Sequence, residues 1–524
     1  MGDEASSNAA TWRRAAAWWP WALVAAGLVL RVALRLSVLD QVVDDAFIFF
    51  RYAENVASGD GLTYNPGDTV LGFTSPLYVL TLTGLAVVVG RDALPGAAVA
   101  LDLALYLAAS VALVRLVGRR VHAGVNPGAR HAAPLALLSL WALGLPFVDG
   151  AINGMETMLF LALLLAAVDA LDDGGAGLAA ALGGLLVLTR PEGAVAAALI
   201  GVVLLRRGRP LPWRGIGAAA VAVGIWGAVA LLAYGSVIPQ SLLAKSGQVT
   251  AGLVDAGGPP DIAAQLALGV SSAQFAGLPE AVRAVLTAVA LIGGVLCVVD
   301  LVRRMRDGHA GAVLPGSYLG ITALYVVGDP VRVWSWYTVP TALAWAWSVS
   351  DVGGGALARS TPSRLRPVVA PAVALSVAVV AAATLVVGVP RRQDSSAESV
   401  TELALVGKAL ARRAPPPGSV MVGDIGAIGW ETGATIVDLS GLVSEAPVEA
   451  GPTGAVPSFG ALVDRFRPDA VVLQVAPDAS PVVPEGSVVR PSFDDPEQLR
   501  RFSADYEIMA VEGSDRLVYV RRAG

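Results

Sequence analysis

Residues 42–68 read VVDDAFIFFRYAENVASGDGLTYNPGD and follow a long apolar run near the start of the chain. Two adjacent carboxylates, Asp44 and Asp45, come first. A segment of mixed apolar, aromatic and charged residues with Arg51 and Glu54 follows, and then a turn rich in glycine. The mixed segment predicts an amphipathic helix at a membrane surface. Acids beside a membrane span usually mark a functional site, and an ordinary solvated loop is the alternative interpretation.

The composition around this stretch is that of a membrane protein. Of 524 residues, 55% are hydrophobic and 15% charged, and the mean hydropathy is +0.64. Soluble proteins carry about 25% charged residues. Apolar runs recur along residues 1–390, and about 20 apolar residues cross a bilayer. We predict a mostly α, polytopic transmembrane bundle of about 10–12 spans over these residues, in a multi-pass protein of the plasma membrane.

Basic residues predict the orientation in the bilayer, because they favour the cytoplasmic side. They cluster in short segments: Arg13 and Arg14, Arg206 to Arg209, Arg303 to Arg306, and Arg359 to Arg366. With the N-terminus inside, the Asp44 stretch lies outside. Counting runs also puts 118–131 outside, although this loop holds Arg119, Arg120 and Arg130. Either one run is re-entrant or this loop departs from the rule.

The chain changes character after about residue 390. VTELALVGKALARR (400–413) has helical spacing of apolar residues, and SVMVGD, TIVDLSG, DAVVLQV and RLVYVRR are short β-rich segments between turns. We predict that residues 391–524 form a small extracytoplasmic α/β domain.

Metal and cofactor motifs are scarce. A lone Cys297 excludes an internal disulfide and a Cys-ligated cluster. Three histidines, His122, His131 and His309, argue against a zinc site. There is no P-loop or HExxH motif. We expect no metal, no other cofactor and no nucleic-acid partner.

Two charged positions interrupt the middle of the apolar region. Glu156 in INGMETMLF precedes an apolar helix, where an acid could simply favour the helix dipole. Arg190 lies in TRPEG, within the run 178–205, which is either two half-helices or one kinked helix. Because a buried charge is costly unless paired, Arg190 either pairs with Glu192 or binds a phosphate or carboxylate.

Two later stretches combine cations with aromatic residues. Lys245 in YGSVIPQSLLAKSG offers a positive charge near the outer surface, unless it only reaches toward lipid headgroups. In GDPVRVWSWYTVP (328–340), Arg332 and Tyr337 could hold a lipid phosphate, and Trp334 could stack on a sugar. An interfacial aromatic belt is the alternative for the tryptophans.

The order of these stretches resembles the GT-C superfamily of integral-membrane glycosyltransferases that use polyprenyl-phosphate sugars. The strongest match is DDAFIFFRYAENVASGDGLTYNPGDTVLGFTSPLYVL, and NGMETMLF, LTRPEG, IPQSLLAKSG and WYTVP resemble later family blocks. GDIGAIGWETGATIVDLSGLVS and RPDAVVL resemble the extracytoplasmic tail of a subset that includes mycobacterial-type terminal arabinofuranosyltransferases. The chain departs from its relatives at Pro239 to Ser241, where PQS replaces the common PNT.

The resemblance implies a function and a set of roles. The protein would transfer a sugar from a polyprenyl-phosphate donor to a cell-envelope glycan acceptor, and the resemblance favours arabinofuranose as that sugar. The transfer would invert the anomeric centre and would not require a metal. Asp44 would be the general base, and Asp45 would orient the site or help to bind the acceptor. The site would face the extracytoplasmic side. Donor phosphate would be held by Arg190, Lys245, Arg332 and Tyr337, and acceptor or sugar by Arg51, Glu156 and Trp334.

Three alternatives stay open at this point. The enzyme could transfer mannose or another hexose to a protein or lipid. The protein could instead transport a lipid-linked sugar, although secondary transporters often show internal repeats and none is visible here. A non-catalytic relative whose tail binds glycan is the third alternative, and the intact Asp44–Asp45 pair argues against it.

Overall fold

The computed structural model of the 524-residue chain describes the following residues: 2–37, 42–123, 132–250, 257–327, 333–353, 398–444, 458–475, 481–482 and 493–522. The predicted last span at 367–389, the basic segment Arg359 to Arg366 and the predicted site residue Arg332 lie outside this part of the chain.

The first part of the chain is helical. The helices are α1 (Gly2–Ser37), α2 (Asp44–Ser58), α3 (Pro76–Val89), α4 (Leu94–Ala123), α5 (Ala132–Leu143), α6 (Leu145–Asp149), α7 (Thr157–Asp172), α8 (Ala176–Thr189), α9 (Gly193–Arg206), α10 (Trp213–Tyr234), α11 (Gln240–Thr250), α12 (Pro259–Leu268), α13 (Ser272–Ala276), α14 (Glu280–Arg306), α15 (Val313–Val327) and α16 (Ser335–Ser348). A 3-10 turn, Ala310–Ala312, precedes α15, and a π-helical turn, Val349–Gly353, follows α16.

Five segments in the described part are long and apolar enough to cross a membrane. They are Trp18–Leu36, Leu94–Arg119, Trp213–Tyr234, Glu280–Arg306 and Ala310–Val327. Shorter apolar helices are Pro76–Val89, Ala133–Leu143, Ala176–Thr189 and Gly193–Arg206. α10 exposes large apolar side chains along its length, as a lipid-facing helix does. The predicted polytopic helical bundle is confirmed, and the total of 10–12 spans stays a prediction.

Helix α3 bears on the basic loop at 118–131, which counting the apolar runs placed outside. Gly72, just before α3, lies against Val443 of the C-terminal region, and Arg91, just after it, donates to the carbonyl of Trp430 in the same region. Both ends of this 14-residue helix therefore lie on one side of the bundle. α4 then runs to the opposite side, where Arg119 pairs with Asp169 at 2.9 Å. The two alternatives for the loop at 118–131, a re-entrant run or a departure from the charge rule, stay predictions.

The other basic loops gather at this same opposite end. Arg207 donates to the carbonyl of Gly308 at 2.8 Å, which joins the loop after α9 to the loop after α14. Arg207 also donates to the carbonyl of Leu171 near the end of α7. The end of the bundle away from the C-terminal region is therefore the basic one.

The run at 178–205 consists of two helices that fold back on each other. Arg190 leaves α8 in an extended conformation, and a Cβ on Gly193 would lie 2.1 Å from the carbonyl oxygen of Leu186. Gly183 on α8 lies beside Ala197 on α9. Because only glycine fits at position 193, the chain reverses sharply there, and the alternative of one kinked helix is wrong.

The C-terminal region is the predicted α/β fold. Its elements are α17 (Glu398–Ala411), β1 (Ser419–Val422), α18 (Gly426–Thr432), β2 (Thr435–Asp438), α19 (Phe459–Phe466), β3 (Ala470–Val475), β4 (Pro481–Val482), α20 (Pro496–Asp505), β5 (Tyr506–Met509) and β6 (Leu517–Arg521). The sheet order is β2-β1-β3-β6-β5, with β4 beside β3. β1 is parallel to β2 and β3, and β6 is antiparallel to β3 and β5.

Two charged residues of α2 bind the two ends of the short helix α18 in this α/β region. The Asp44 carboxylate accepts hydrogen bonds from the backbone N–H groups of Gly426 (2.9 Å) and Ala427 (2.7 Å) at the start of α18. Arg51 donates to the carbonyls of Gly429 (2.8 Å) and Ala434 (2.7 Å) at its other end. An acid at the N-terminus and a cation at the C-terminus both complement the helix dipole.

The turn after α2 extends this contact into the sheet. The Tyr64 hydroxyl donates to the carbonyl of Ile425 at 2.6 Å, and the Asn65 amide pairs with both the N–H and the carbonyl of Ile436. Phe47 and Phe50 of α2 pack on Trp430. The predicted helix is confirmed, but its apolar side chains are buried within the protein, partly against α18 and partly against the bundle. Its place at the membrane surface stays a prediction.

Gly426→Ala should weaken the contact between α2 and α18. A Cβ at position 426 would lie 1.9 Å from the backbone oxygen of Asp44, so the two segments must separate, at a cost of about 1–3 kcal/mol. We expect faster limited proteolysis of the C-terminal region and a lower unfolding temperature. Gly217→Ala in α10, where the new Cβ meets open space, is the control. Equal proteolysis of the two variants would contradict the contact.

Candidate functional site

A cavity of about 580 Å³ lies where α2, the α8–α9 turn, α11, α15 and α16 meet. This volume is typical of small-molecule sites. Most of its wall is apolar, with side chains such as Ile48, Phe49, Val195, Leu243 and Leu324. Charged and hydroxyl groups of several separate segments interrupt this wall, so the cavity suits a ligand with a large apolar part and a small polar part.

Five of the predicted site residues meet at this cavity. They come from positions far apart in the chain: Asp45, Glu156, Arg190, Lys245 and Tyr337. Among the described residues, the predicted Asp44, Arg51 and Trp334 do not line it.

Lys245 is held inside the cavity by two partners. Its Nζ lies 3.4 Å from Asp45 Oδ2 and donates to the Tyr337 hydroxyl at 3.1 Å. Burial alone lowers the pKa of Lys245, but the charges and hydrogen bonds of Tyr337 and Asp45 outweigh it and raise that pKa on balance. The side chain stays protonated and points inward, which does not fit the alternative of a lysine reaching toward headgroups.

Local packing explains why α11 presents Lys245 here. At the start of α11, the Gln240 N–H donates to the carbonyl of Leu71 at 2.7 Å, and its side-chain amide donates to the carbonyl of Gly441 at 3.4 Å. The helix is thus tied to the segment after α2 and to the α/β region. Lys245 lies little more than one turn further on, on the side of the cavity.

Arg190 forms a second ion pair at the cavity, and this one is fully buried. Its Nε lies 2.7 Å from Glu156 Oε1, and its Nη2 donates to the Thr157 hydroxyl at 3.3 Å. Side-chain exposure is 3% for Arg190 and 1% for Glu156. The alternative of an Arg190–Glu192 pair is wrong, because Arg190 pairs with Glu156 and Glu192 accepts a hydrogen bond from Tyr325 at 2.6 Å.

Glu156 does not act as a helix cap. It occupies the N-cap position of α7, but its side chain makes no capping hydrogen bond and turns to Arg190 instead. Its second oxygen, Oε2, is buried and has no hydrogen-bond partner within the described part of the chain. A buried carboxylate oxygen without a hydrogen-bond partner costs free energy.

The two adjacent aspartates face different partners. Asp45 lines the cavity, whereas the Asp44 carboxylate is bound by the N-terminus of α18. Burial, reinforced by the negative charge of Asp424, raises the pKa of Asp44 to about 7, although the two backbone N–H groups act in the other direction.

Arg51 and Trp334 are engaged elsewhere. Arg51 is 4% exposed, and its guanidinium is saturated by carbonyls of the α/β region and of its own turn. Trp334 stacks on Trp336, with ring centroids 5.3 Å apart and planes inclined by 9°. Neither residue is positioned to contact a ligand in this cavity.

The α/β region contributes a wall residue that sequence reasoning missed. Leu442 lines the cavity from the loop after β2. Asp438 shapes this loop by accepting hydrogen bonds from the N–H groups of Ser440 (2.7 Å) and Val443 (2.8 Å), and burial raises the pKa of Asp438 to about 6. Loops that follow parallel strands often line ligand sites, and this loop follows the parallel strand β2. Nothing in the sequence indicated that this loop meets α11.

No group of three or more His, Cys, Asp or Glu side chains in the described ranges is arranged to hold a metal ion. The polar groups of the cavity are instead carboxylates paired with cations.

Comparison with solved structures identifies similar folds. The chain is similar over 97% of its length to the crystal structure of ArnT from Cupriavidus metallidurans bound to undecaprenyl phosphate, with a TM-score of 0.54 and 15% identity, and covers 98% of that chain. The apo ArnT structure matches over 96% of this chain and 98% of its own, with a TM-score of 0.55 and 15% identity. The fold is therefore ArnT-like, and five of its described helical segments are long and apolar enough to cross a membrane.

Sequence comparison covers only the end of the chain. Residues 392–520 match a family described as a domain of unknown function (DUF8728). No curated protein matches the sequence.

The buried Arg190–Glu156 pair makes a stability prediction. Arg190→Met leaves the Glu156 carboxylate buried without its cation, which should cost about 3–5 kcal/mol. Adding Glu156→Gln removes that charge and should restore most of the loss. Thermal unfolding in detergent measures both variants, with Arg501→Met in an exposed tail pair as the control that changes little. Equal unfolding temperatures for the single and double variants would show that the pair does not carry this energy.

Proposed function

We propose that the protein is a membrane glycosyltransferase that moves a sugar from a polyprenyl-phosphate donor to a glycan acceptor. The observation that carries this proposal is a mainly apolar cavity with Lys245 and Arg190 on its wall and the Asp45 carboxylate beside Lys245. The similarity of the fold to ArnT bound to undecaprenyl phosphate supports it.

The cavity suits the two parts of such a donor. The apolar wall would hold the prenyl chain, and the cations would hold the phosphate, with Tyr337 close to both of them. In a site that excludes water, a fixed positive charge stabilises a departing phosphate far more than it does in solution. Lys245 and Arg190 would therefore assist departure of the polyprenyl phosphate.

We place the general base at Asp45. The acceptor hydroxyl oxygen would attack the anomeric carbon as the bond from that carbon to the phosphate oxygen breaks. The polyprenyl phosphate would leave with the electron pair, the Asp45 carboxylate would take the hydroxyl proton, and attack opposite the leaving group would invert the centre. A general base must first be within reach of its proton, and Asp45 is the member of the acidic pair that lines the cavity.

Asp44, which the family resemblance implies as the base, has a different role in this proposal. Its carboxylate would hold the α/β region against α2 and so orient Asp45. A pKa of about 7 also suits a base, so the two aspartates must be compared directly.

The finer assignment rests on the resemblance of the sequence blocks. They favour arabinofuranose as the sugar and a cell-envelope glycan as the acceptor, with mannose or another hexose as the second candidate. The basic end of the bundle lies opposite the α/β region, which supports an extracytoplasmic cavity and tail at the plasma membrane. The proposed mechanism uses no cofactor.

Asp45→Asn should abolish transfer without abolishing donor binding. Purified protein in detergent would be given radiolabelled polyprenyl-phosphate arabinose, mannose or glucose with a mixed glycan acceptor. We expect a loss of about 10²–10⁴-fold, because the amide cannot accept the proton. Asp44→Asn should retain more transfer but show faster tail proteolysis. Loss of transfer in Asp44→Asn alone would move the base to Asp44, and no transfer by wild type from any donor would contradict the function.

Lys245→Ala should weaken donor binding. Loss of one charge-assisted contact to phosphate costs about 1.5–3 kcal/mol, or about 10- to 100-fold in Kd for undecaprenyl phosphate. Binding would be measured by quenching of intrinsic tryptophan fluorescence. Arg501→Ala removes an exposed cation of the tail and serves as the control. An unchanged Kd in Lys245→Ala would exclude this residue from the phosphate site.

A further inference from the structure

Arginines at the basic end of the bundle fall into two groups. The first group forms ion pairs or hydrogen bonds inside the protein: Arg115, Arg119, Arg207, Arg303 and Arg304. Their partners are aspartates of α7, of α14 and of the π-helical turn, and for Arg207 two backbone carbonyls. These arginines join the ends of neighbouring helices.

The second group consists of four unpaired arginines. They are exposed, and their side chains form no ion pair or hydrogen bond within the part of the chain that the structure describes: Arg206, Arg209, Arg214 and Arg306. The segments that carry them, 205–214 and 306–309, contain one acid, Asp307. The positive charge of this surface therefore exceeds its negative charge, which favours an anionic partner.

Backbone contacts bring the four unpaired arginines to one surface. Arg207 Nε donates to the carbonyl of Gly308 at 2.8 Å, and a Cβ on Gly308 would lie 3.5 Å from the carbonyl carbon of Arg206. These contacts join the loop after α9 to the end of α14, where Arg306 lies. The other two unpaired arginines flank the short link from this loop to α10.

The four unpaired arginines also border an apolar surface. Trp213, at the first position of α10, is 70% exposed, and Leu205, near the end of α9, is 65% exposed. Further along, α10 exposes Val221 and Ile225. Tryptophan is enriched at the level of the lipid headgroups. A lipid phosphate at the arginines would therefore have its acyl chains along the apolar surface of α10.

We propose that the four unpaired arginines form a binding site for the phosphate headgroups of anionic phospholipids in the leaflet at the basic end. A guanidinium binds two phosphate oxygens through parallel N–H groups, and clustered cations at this level attract anionic lipids. A free phosphate ion would match the charge, but only a lipid also covers Trp213 and Leu205. The inference does not depend on the transferase function, because it needs only a bilayer around the bundle.

The double variant Arg209→Gln/Arg214→Gln tests this inference, because it removes two of the charges and leaves three arginines in the two segments. The matched control is Arg412→Gln/Arg500→Gln, which removes two exposed, unpaired arginines of the α/β region. The probe is dioleoyl phosphatidylglycerol, added to purified protein in detergent, and native mass spectrometry would measure its Kd. Dioleoyl phosphatidylcholine and inorganic phosphate are the reference ligands.

We expect wild type and the control variant to bind phosphatidylglycerol with the same Kd. The variant Arg209→Gln/Arg214→Gln should bind it about 10- to 30-fold more weakly, because each cation near the lipid surface strengthens binding about fivefold. The unfolding temperature in lipid-free detergent shows whether each variant is folded. If the double variant does not fold, Arg214→Gln alone carries the test, with an expected loss of about fivefold.

Equal affinity of wild type and the folded test variant for phosphatidylglycerol would overturn the inference. Equal weakening in the control variant would also overturn it, because net charge rather than this surface would then decide binding. Wild type that binds phosphatidylcholine as tightly as phosphatidylglycerol would show that the headgroup charge is not recognised. Inorganic phosphate that displaces the lipid at equal concentration would make the surface a free-anion site, and either result would overturn the inference.

Discussion

The attachment of α2 to α18 is the constraint on which the arrangement of the cavity depends. Asp44 binds the N-terminus of α18, and Arg51 binds carbonyls at its C-terminal end. Because Asp44 and Arg51 are two helical turns apart on one face of α2, the two contacts fix the rotation of α2 about its own axis. That rotation turns Asp45 into the apolar cavity and Phe47 toward Trp430. The α/β region is therefore part of the site rather than an appended module, and Leu442 extends it into the cavity wall.

The charged residues Lys245 and Arg190 of the apolar cavity each form an ion pair. Lys245 is held by Asp45, and Arg190 by Glu156. An isolated charge in such a wall would be costly, and pairing offsets that cost. In the proposed mechanism, an entering phosphate shares each cation with its carboxylate partner. Lys245 and Arg190 then assist the leaving group, and the Asp45 carboxylate takes the proton.

The sequence predicted the bundle and the α/β tail, since apolar runs and β-rich segments reflect local chemistry. It also indicated most of the charged residues that meet at the cavity. It failed where the outcome depended on long-range packing. Pairing of Arg190 with nearby Glu192 was one alternative, but the reversal after α8 brings Arg190 to Glu156 instead. The amphipathic pattern of α2 predicted a helix, yet it could not distinguish burial in lipid from burial under a tail almost 400 residues away. Long-range packing also decided Arg51, which was predicted to bind acceptor or sugar. Its guanidinium donates to carbonyls of the α/β region.

The most direct test is a cryo-electron microscopy structure of the protein in nanodiscs with undecaprenyl phosphate. The account predicts the phosphate within hydrogen-bond distance of Lys245 and Arg190, with the prenyl chain along the wall that includes Ile48 and Leu243. It also predicts α18 docked on Asp44, as in the present structure. Lipid phosphate bound beside Arg91, where α4 meets α18, with the apolar cavity empty, would contradict the account.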